Sequence, residues 1–123
     1  MQALFWDFTI THPGPSVINQ EYYVADNPSK SAGGAELRLA GQQPGKYALR
    51  ATLVGYKSND LQSAWRDMGS PSQLTRAQVA TLRKASDGSP ALAETVQVGA
   101  DGRFAKPFAM RKNDVWLVEL SPL

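Results

Sequence analysis

One change of hydrophobic period constrains the fold of this chain more than any other feature. Residues 35–40 and 46–54 alternate apolar and polar side chains with a period of two, which is typical of half-buried strands. Over residues 59–86 the apolar side chains recur instead at helical spacing, and after Pro90 the strand pattern returns. The chain is therefore predicted to form strands, one short helical insert, and then strands again.

Two helix-start signals lie within residues 59–86. Asn59-Asp60 offers side-chain oxygens to the free N–H groups of a helix start, which predicts an N-cap for a first helix ending near Met68. Thr75-Arg76-Ala77-Gln78 has the spacing of a capping box, in which the first and last residues satisfy each other's backbone N–H groups. The second helix is expected to run to about Ala85.

Turn residues between the strand segments predict hairpins. Gln43-Pro44-Gly45 separates the segments 35–40 and 46–54, which predicts an antiparallel pair. Asp101-Gly102 is a strong turn signal between candidate strands 92–98 and 103–110. One face of segment 46–54 is expected to be buried, and it comprises Tyr47, Leu49, Ala51 and Leu53.

The remaining segments complete the predicted fold. A strand is expected within residues 3–11, a weaker extended piece at 21–24, an irregular loop over 26–34, and a last strand at 115–120. These predictions give a mainly β fold class, an antiparallel β-sandwich with a short two-helix insert. The length of 123 residues fits a single domain covering residues 1–123.

Composition excludes several classes of function. The chain contains no cysteine, which rules out disulfides, thiolate chemistry and zinc sites built on Cys. The formal net charge is +2, and the basic residues form no stripe, so neither nucleic acid nor a membrane is expected as a partner. No cofactor or metal is expected.

Several short motifs, taken in order, resemble the C-terminal region of family 39 glycoside hydrolases, and bacterial β-xylosidases in particular. They are Val54-Gly55-Tyr56-Lys57-Ser58-Asn59-Asp60, Asp67-Met68-Gly69-Ser70-Pro71, Leu74-Thr75-Arg76-Ala77-Gln78-Val79, Asp101-Gly102-Arg103-Phe104 and Arg111-Lys112-Asn113-Asp114-Val115. The likeness extends to Trp6-Asp7-Phe8, Asn19-Gln20 and Pro44-Gly45-Lys46-Tyr47, and so spans almost the whole chain.

This resemblance implies that catalysis and the β-sandwich belong to different parts of the parent enzyme. Family members carry a (β/α)8 barrel with two catalytic glutamates, an acid/base and a nucleophile, and a β-sandwich packs against that barrel. The present chain is similar to the sandwich with its helical element, and the barrel is absent. The catalytic glutamates of the family therefore have no counterpart positions here.

The carboxylates of the chain offer no obvious catalytic pair. Retaining glycoside hydrolysis needs two carboxyl groups about 5–5.5 Å apart, whereas Asp60 and Asp67 are expected two helical turns apart on one face, roughly 10 Å. That separation is too large for a retaining pair but within the inverting range, and solvated surface carboxylates are the favoured interpretation. The lone His12, beside a proline, lacks partners for a metal or nucleophile site. All glutamates lie in strand-like segments and are expected to point to solvent, namely Glu21, Glu36, Glu94 and Glu119.

Aromatic residues provide the candidate contact sites, since sugar rings stack on exposed aromatic faces. Trp6 and Trp116 lie among apolar residues and are expected in the core, while Tyr22 and Tyr23 are possible platforms. Tyr56 and Trp65 flank the helical insert and are the candidate docking or sugar-contact residues, with docking favoured.

The sequence thus predicts a non-catalytic accessory domain of a β-xylosidase, whose partner is the parent's catalytic (β/α)8 barrel. That domain should expose an apolar patch where the barrel sits. The alternative is a carbohydrate-binding module for xylan or xylo-oligosaccharide, which should line a groove with coplanar aromatics. Self-association through the barrel-facing surface stays open, and a minimal hydrolase is the least favoured reading.

Overall fold

A computed structural model describes residues 1–9 and 26–123. In chain order these residues form three strands, two short helices and three further strands. In chain order the elements are β1 (Gln2–Trp6), β2 (Ser31–Leu39), β3 (Gly45–Val54), α1 (Leu61–Asp67), α2 (Arg76–Ala85), β4 (Leu92–Val98), β5 (Phe104–Arg111) and β6 (Val115–Pro122). The predicted fold class, an antiparallel sandwich with a two-helix insert, is confirmed. The extended piece predicted at 21–24 lies outside the described residues.

The strands form two antiparallel sheets, one with the order β1-β6-β3-β4 and one with the order β2-β5. The predicted hairpin between segments 35–40 and 46–54 is wrong, because β2 pairs with β5 while β3 pairs with β4 and β6. The hairpin predicted at Asp101-Gly102 is wrong for the same reason. Both turns carry the chain from one sheet to the other. Turn residues show that the chain reverses direction, but they do not show which strand the next strand pairs with.

Strand limits also differ from the predictions at two places. β1 ends at Trp6 rather than near Thr11, and β2 begins at Ser31, inside the segment 26–34 predicted as a loop. A break in the pairing register between Ser31 and Gly33 accommodates the glycines of this segment. Glycine lowers strand propensity, which explains why the sequence pattern concealed the start of β2.

The core lies between the inner faces of the two sheets. Its buried members are Tyr47, Leu49, Ala51, Val98, Phe108, Met110, Trp116, Val118 and Leu120. The predicted inward face of β3 is confirmed, with Leu53 packed against the core and partly buried. The two sheets meet at Phe108 of β5, whose ring centroid lies 5.2 Å from that of Trp116 and 5.4 Å from that of Phe5.

An ion pair closes one edge of the sandwich. Glu94 on β4 stands opposite Leu49 in the pairing register and so shares its inward side. Its Oε1 atom lies 2.7 Å from Nζ of Lys106 on β5, in the other sheet. Glu94 is exposed, as predicted, but its carboxylate links the two sheets rather than standing free in solvent.

The two crossover loops contact each other through Gly102. The Gln42 amide donates to the Gly102 carbonyl over 3.1 Å. Gly102 has a φ of 69°, and a Cβ atom there would lie 2.6 Å from the Gln42 carbonyl oxygen. Only glycine fits this position without a collision.

The helical insert confirms both predicted helix starts. The Asp60 side chain accepts from the Ser63 amide at the start of α1, and Thr75 and Gln78 form the predicted capping box at the start of α2. Burial alone would raise the pKa of Asp60, but hydrogen bonds from the Ser63 hydroxyl and from the Ser63 and Lys57 amides together lower it. Neither helix is long and apolar enough to cross a membrane.

Asn59 ties the two ends of the insert together. Its side-chain amide donates to the Leu53 carbonyl (2.9 Å) and the Ser89 carbonyl (3.2 Å), and its oxygen accepts from the Gly88 amide (2.9 Å). Its φ of 49° lies in the left-handed region, which asparagine tolerates. One side chain therefore joins the end of β3 to the segment that leads into β4.

We predict that Gly102→Ala destabilises the fold far more than Gly88→Ala. Both glycines have positive φ (69° and 76°), so either substitution costs about 1–2 kcal/mol of backbone strain. A Cβ at Gly88 meets nothing within 4 Å, whereas the collision at Gly102 adds about 1–3 kcal/mol. Denaturant unfolding measures both variants, and equal losses would show that the crossover contact is unimportant.

We predict that Asn59→Gly loosens the insert while leaving the sheets intact. Glycine accepts the positive φ but removes all three side-chain hydrogen bonds, at a cost of about 1–3 kcal/mol. Amide hydrogen exchange should accelerate in α1 and α2 relative to β3 and β6. Asn59→Ala, which adds backbone strain, should be less stable than Asn59→Gly. Unchanged exchange in the helices of Asn59→Gly would contradict the role of this side chain.

Candidate functional site

Tyr56, one of the two candidate contact residues, is half-buried and held by its neighbours. Its hydroxyl donates to Oδ2 of Asp26 over 3.1 Å, and Lys57 Nζ lies 5.7 Å from the ring centroid. Burial raises the pKa of Tyr56, and the hydrogen bond to Asp26 adds to the increase. The hydroxyl end of the ring is thus anchored to Asp26.

Trp65, the second candidate, is half-buried within the insert. Its Nε1 donates to the Pro71 carbonyl over 3.0 Å, which ties α1 to the connection that follows it. Next to it, Nη1 of Arg66 lies 3.6 Å from Oδ1 of Asp26, the same carboxylate that binds Tyr56. Docking or sugar contact by Tyr56 and Trp65 stays a prediction. His12, Tyr22, Tyr23 and Glu21 lie outside the described residues.

Each Asp and Glu side chain within residues 1–9 and 26–123 has at least one hydrogen-bond or ion-pair partner, although Oδ1 of the buried Asp114 has none. Asp60 caps α1, and Asp67 lies 3.7 Å from Lys57 Nζ. Glu36 pairs with Arg38 on the same strand, and Glu119 accepts from Gln2. In this described part, no group of three His, Cys, Asp or Glu residues is placed to hold a metal ion.

The most unusual surface is the outer face of the four-stranded sheet. Residues directly opposite in antiparallel strands point to the same side, so the register defines two apolar rows across this face. One row is Trp6, Val115 and Val54, and the next is Leu4, Leu117 and Thr52. Phe8 follows Trp6 along the chain. We name Leu4, Trp6, Phe8, Val54, Val115 and Leu117 the outer apolar patch.

The prediction that Trp6 belongs to the core is wrong. Phe5, not Trp6, packs against the core, and 61% of the surface of Trp6 is exposed. Leu4 and Phe8 are 57% and 76% exposed, respectively. The prediction for Trp116 is confirmed, since it is only 9% exposed. Sequence reasoning missed this patch because Phe5 and Trp6 are adjacent aromatics, and alternation alone does not show which of them faces inward.

Hydrogen bonds hold the chain around Phe8 in place. Asn113, in the turn between β5 and β6, accepts from the Thr9 amide and donates to the Thr9 carbonyl, each over 2.9 Å. The Asn113 amide donates to Oδ1 of Asp7 over 2.9 Å. This bond, together with one from the Thr9 hydroxyl, lowers the pKa of Asp7. The backbone on both sides of the exposed Phe8 is therefore held by hydrogen bonds to Asn113.

The polar part of the outer face begins one row further along. Gln2, Glu119 and Arg50 occupy that row, and Gln2 Nε2 donates to Glu119 Oε1 over 2.8 Å. The outer face of the sheet is thus divided into an apolar part near Phe8 and a polar part near Gln2. An apolar centre beside a polar margin is the usual anatomy of a protein–protein contact surface.

Comparison with known proteins places this fold among glycoside hydrolases. No protein-family model matches the sequence, and no curated protein matches it significantly. Among solved structures, the GH39 enzyme of Xanthomonas axonopodis pv. citri is 34% identical with a TM-score of 0.87, over 99% of this chain and 24% of that one. A monomeric β-xylosidase of Caulobacter crescentus CB15 is 33% identical with a TM-score of 0.85, over the same shares of the two chains.

A more distant structure shares the fold. A bacterial orthologue of human α-L-iduronidase is 19% identical with a TM-score of 0.67, over 80% of this chain and 18% of that one. The chain spans about a quarter of the length of the two enzymes that it resembles at over 30% identity, as expected for a C-terminal region without the barrel. Over 99% of its length the chain is thus similar to a part of two GH39 enzymes.

Proposed function

We propose that this chain is the non-catalytic accessory domain of a β-xylosidase, and that its role is to support the catalytic barrel. The parent reaction is the retaining hydrolysis of β-1,4-xylo-oligosaccharides from the non-reducing end. The observation that carries the proposal is the match of 99% of this chain to only 24% of each GH39 enzyme. Three quarters of each relative therefore lie outside the matched region.

The carboxylates of the described residues support a non-catalytic role. A retaining glycosidase needs one carboxyl group with a raised pKa and one nucleophilic carboxylate beside it. Here the pKa of Asp7, Asp60 and Asp87 is lowered by hydrogen bonds within the fold. Carboxylates that cap helices and stabilise turns in this way fit a structural role.

The relative from Caulobacter crescentus is monomeric. Within one such polypeptide, any surface of the accessory domain that is covered is covered by the rest of the same chain. We extend this arrangement to the parent of the present domain. The partner is then the catalytic barrel of the same polypeptide rather than a second subunit.

We predict that the isolated chain does not hydrolyse an aryl β-xyloside, whereas a chimera does. In this chimera, the present chain replaces the matching quarter of the Caulobacter crescentus β-xylosidase. The chimera should hydrolyse the xyloside because the catalytic groups belong to the retained part. Turnover by the isolated chain that survives repurification would contradict the proposal, as would a folded but inactive chimera.

The alternative of a carbohydrate-binding module has its own test. Xylo-oligosaccharides are titrated into isotope-labelled chain while backbone amide shifts are followed. The accessory-domain role predicts no saturable shifts at millimolar sugar. Saturable shifts centred on Tyr56 and Trp65 would favour the binding module and locate its site.

A further inference from the structure

We propose that the outer apolar patch is the surface on which the catalytic barrel of the parent enzyme docks, with Trp6 and Phe8 as its anchors. This inference rests on the proposed function and specifies where the contact lies. It assigns docking to the outer face of the four-stranded sheet.

The outer apolar patch exposes more large apolar side chains than scattered surface residues would account for. Four large apolar side chains in one region of the surface are roughly half exposed or more, and they are Leu4, Trp6, Phe8 and Val54. Scattered exposed hydrophobic residues are ordinary, but contiguous ones mark interaction surfaces. The pairing register makes three of them neighbours, because Trp6 and Val54 both stand opposite Val115 and Leu4 stands opposite Leu117 on the same face. Phe8 lies two residues beyond Trp6 in the chain.

The composition and rigidity of the patch suit an interface anchor. Tryptophan is among the residues that contribute most to binding at protein interfaces. Phe8 stands between Asp7 and Thr9, which are both hydrogen-bonded to Asn113. Little backbone freedom remains to be lost when a partner binds, so little of the binding free energy is spent on ordering.

The occupant that we assign to the patch is the catalytic barrel in the rest of the parent polypeptide. The chain matches 24% of each GH39 relative, so about three quarters of a parent of that length lie outside this domain. Leu4 and Trp6 lie on β1, which among the described strands pairs only with β6 and forms an edge of the larger sheet. A barrel within the same polypeptide is tethered to this domain, and tethering favours an intramolecular contact over one with a second copy.

The test compares matched variants in the isolated chain and in the chimera described above. Trp6→Ser and Leu4→Ser remove exposed side chains, so each should change the unfolding midpoint of the isolated chain only slightly. In the chimera, Trp6→Ser should shorten the half-life of xylosidase activity at elevated temperature by roughly tenfold or more, because the anchor of the interface is lost. Leu61→Ser is the control, since Leu61 is 52% exposed and lies on α1.

The outcomes separate this inference from the proposed function. If Trp6→Ser and Leu4→Ser shorten the half-life no more than Leu61→Ser, the patch is not the docking surface, although an active chimera would still support the accessory role. If the unsubstituted chimera is folded but inactive, the proposed function itself fails. A dimer of the isolated chain that Trp6→Ser dissociates, with no effect in the chimera, would assign the patch to a second copy and overturn the inference.

Discussion

The contact among Phe5, Phe108 and Trp116 determines which side of the larger sheet faces inward. Phe108 is contributed by the small sheet, and it meets Phe5 and Trp116, which stand opposite each other in adjacent strands. The indole Nε1 of Trp116 also donates to the Ala109 carbonyl over 3.2 Å, which ties β6 to β5. Because side chains alternate along a strand, placing Phe5 inside requires that Leu4 and Trp6 lie outside.

This constraint links the core of the domain to its surface. A shift of one residue in the β1–β6 register would bury Trp6 and expose Phe5, so the packing of Phe108 indirectly creates the outer apolar patch. The division of the outer face follows from the same register, with Gln2, Glu119 and Arg50 forming the polar row. A domain that stood alone in solvent would gain nothing from an exposed Trp6 and Phe8. The same residues are useful to a domain that supports a partner.

Local signals in the sequence predicted local structure well. The capping box at Thr75 and Gln78, the N-cap at Asp60 and the inward face of β3 depend on residues close together in the chain, and the structure confirms each of them. The pairing of strands depends on contacts between distant residues, and there the predictions failed. Gln43-Pro44-Gly45 and Asp101-Gly102 were predicted to form hairpins, yet both lead from one sheet to the other. Trp6 was placed in the core because only the register with β6 distinguishes it from Phe5.

The proposed contact between the catalytic barrel and the outer apolar patch can be measured residue by residue. Hydroxyl-radical footprinting read by mass spectrometry tests it most directly, by comparing side-chain oxidation in the isolated chain and in the chimera. If the barrel docks on the patch, Trp6 and Phe8 are strongly oxidised in the isolated chain and clearly protected in the chimera, while Leu61 is oxidised equally in the two. Equal oxidation of Trp6 and Phe8 in both proteins would contradict it.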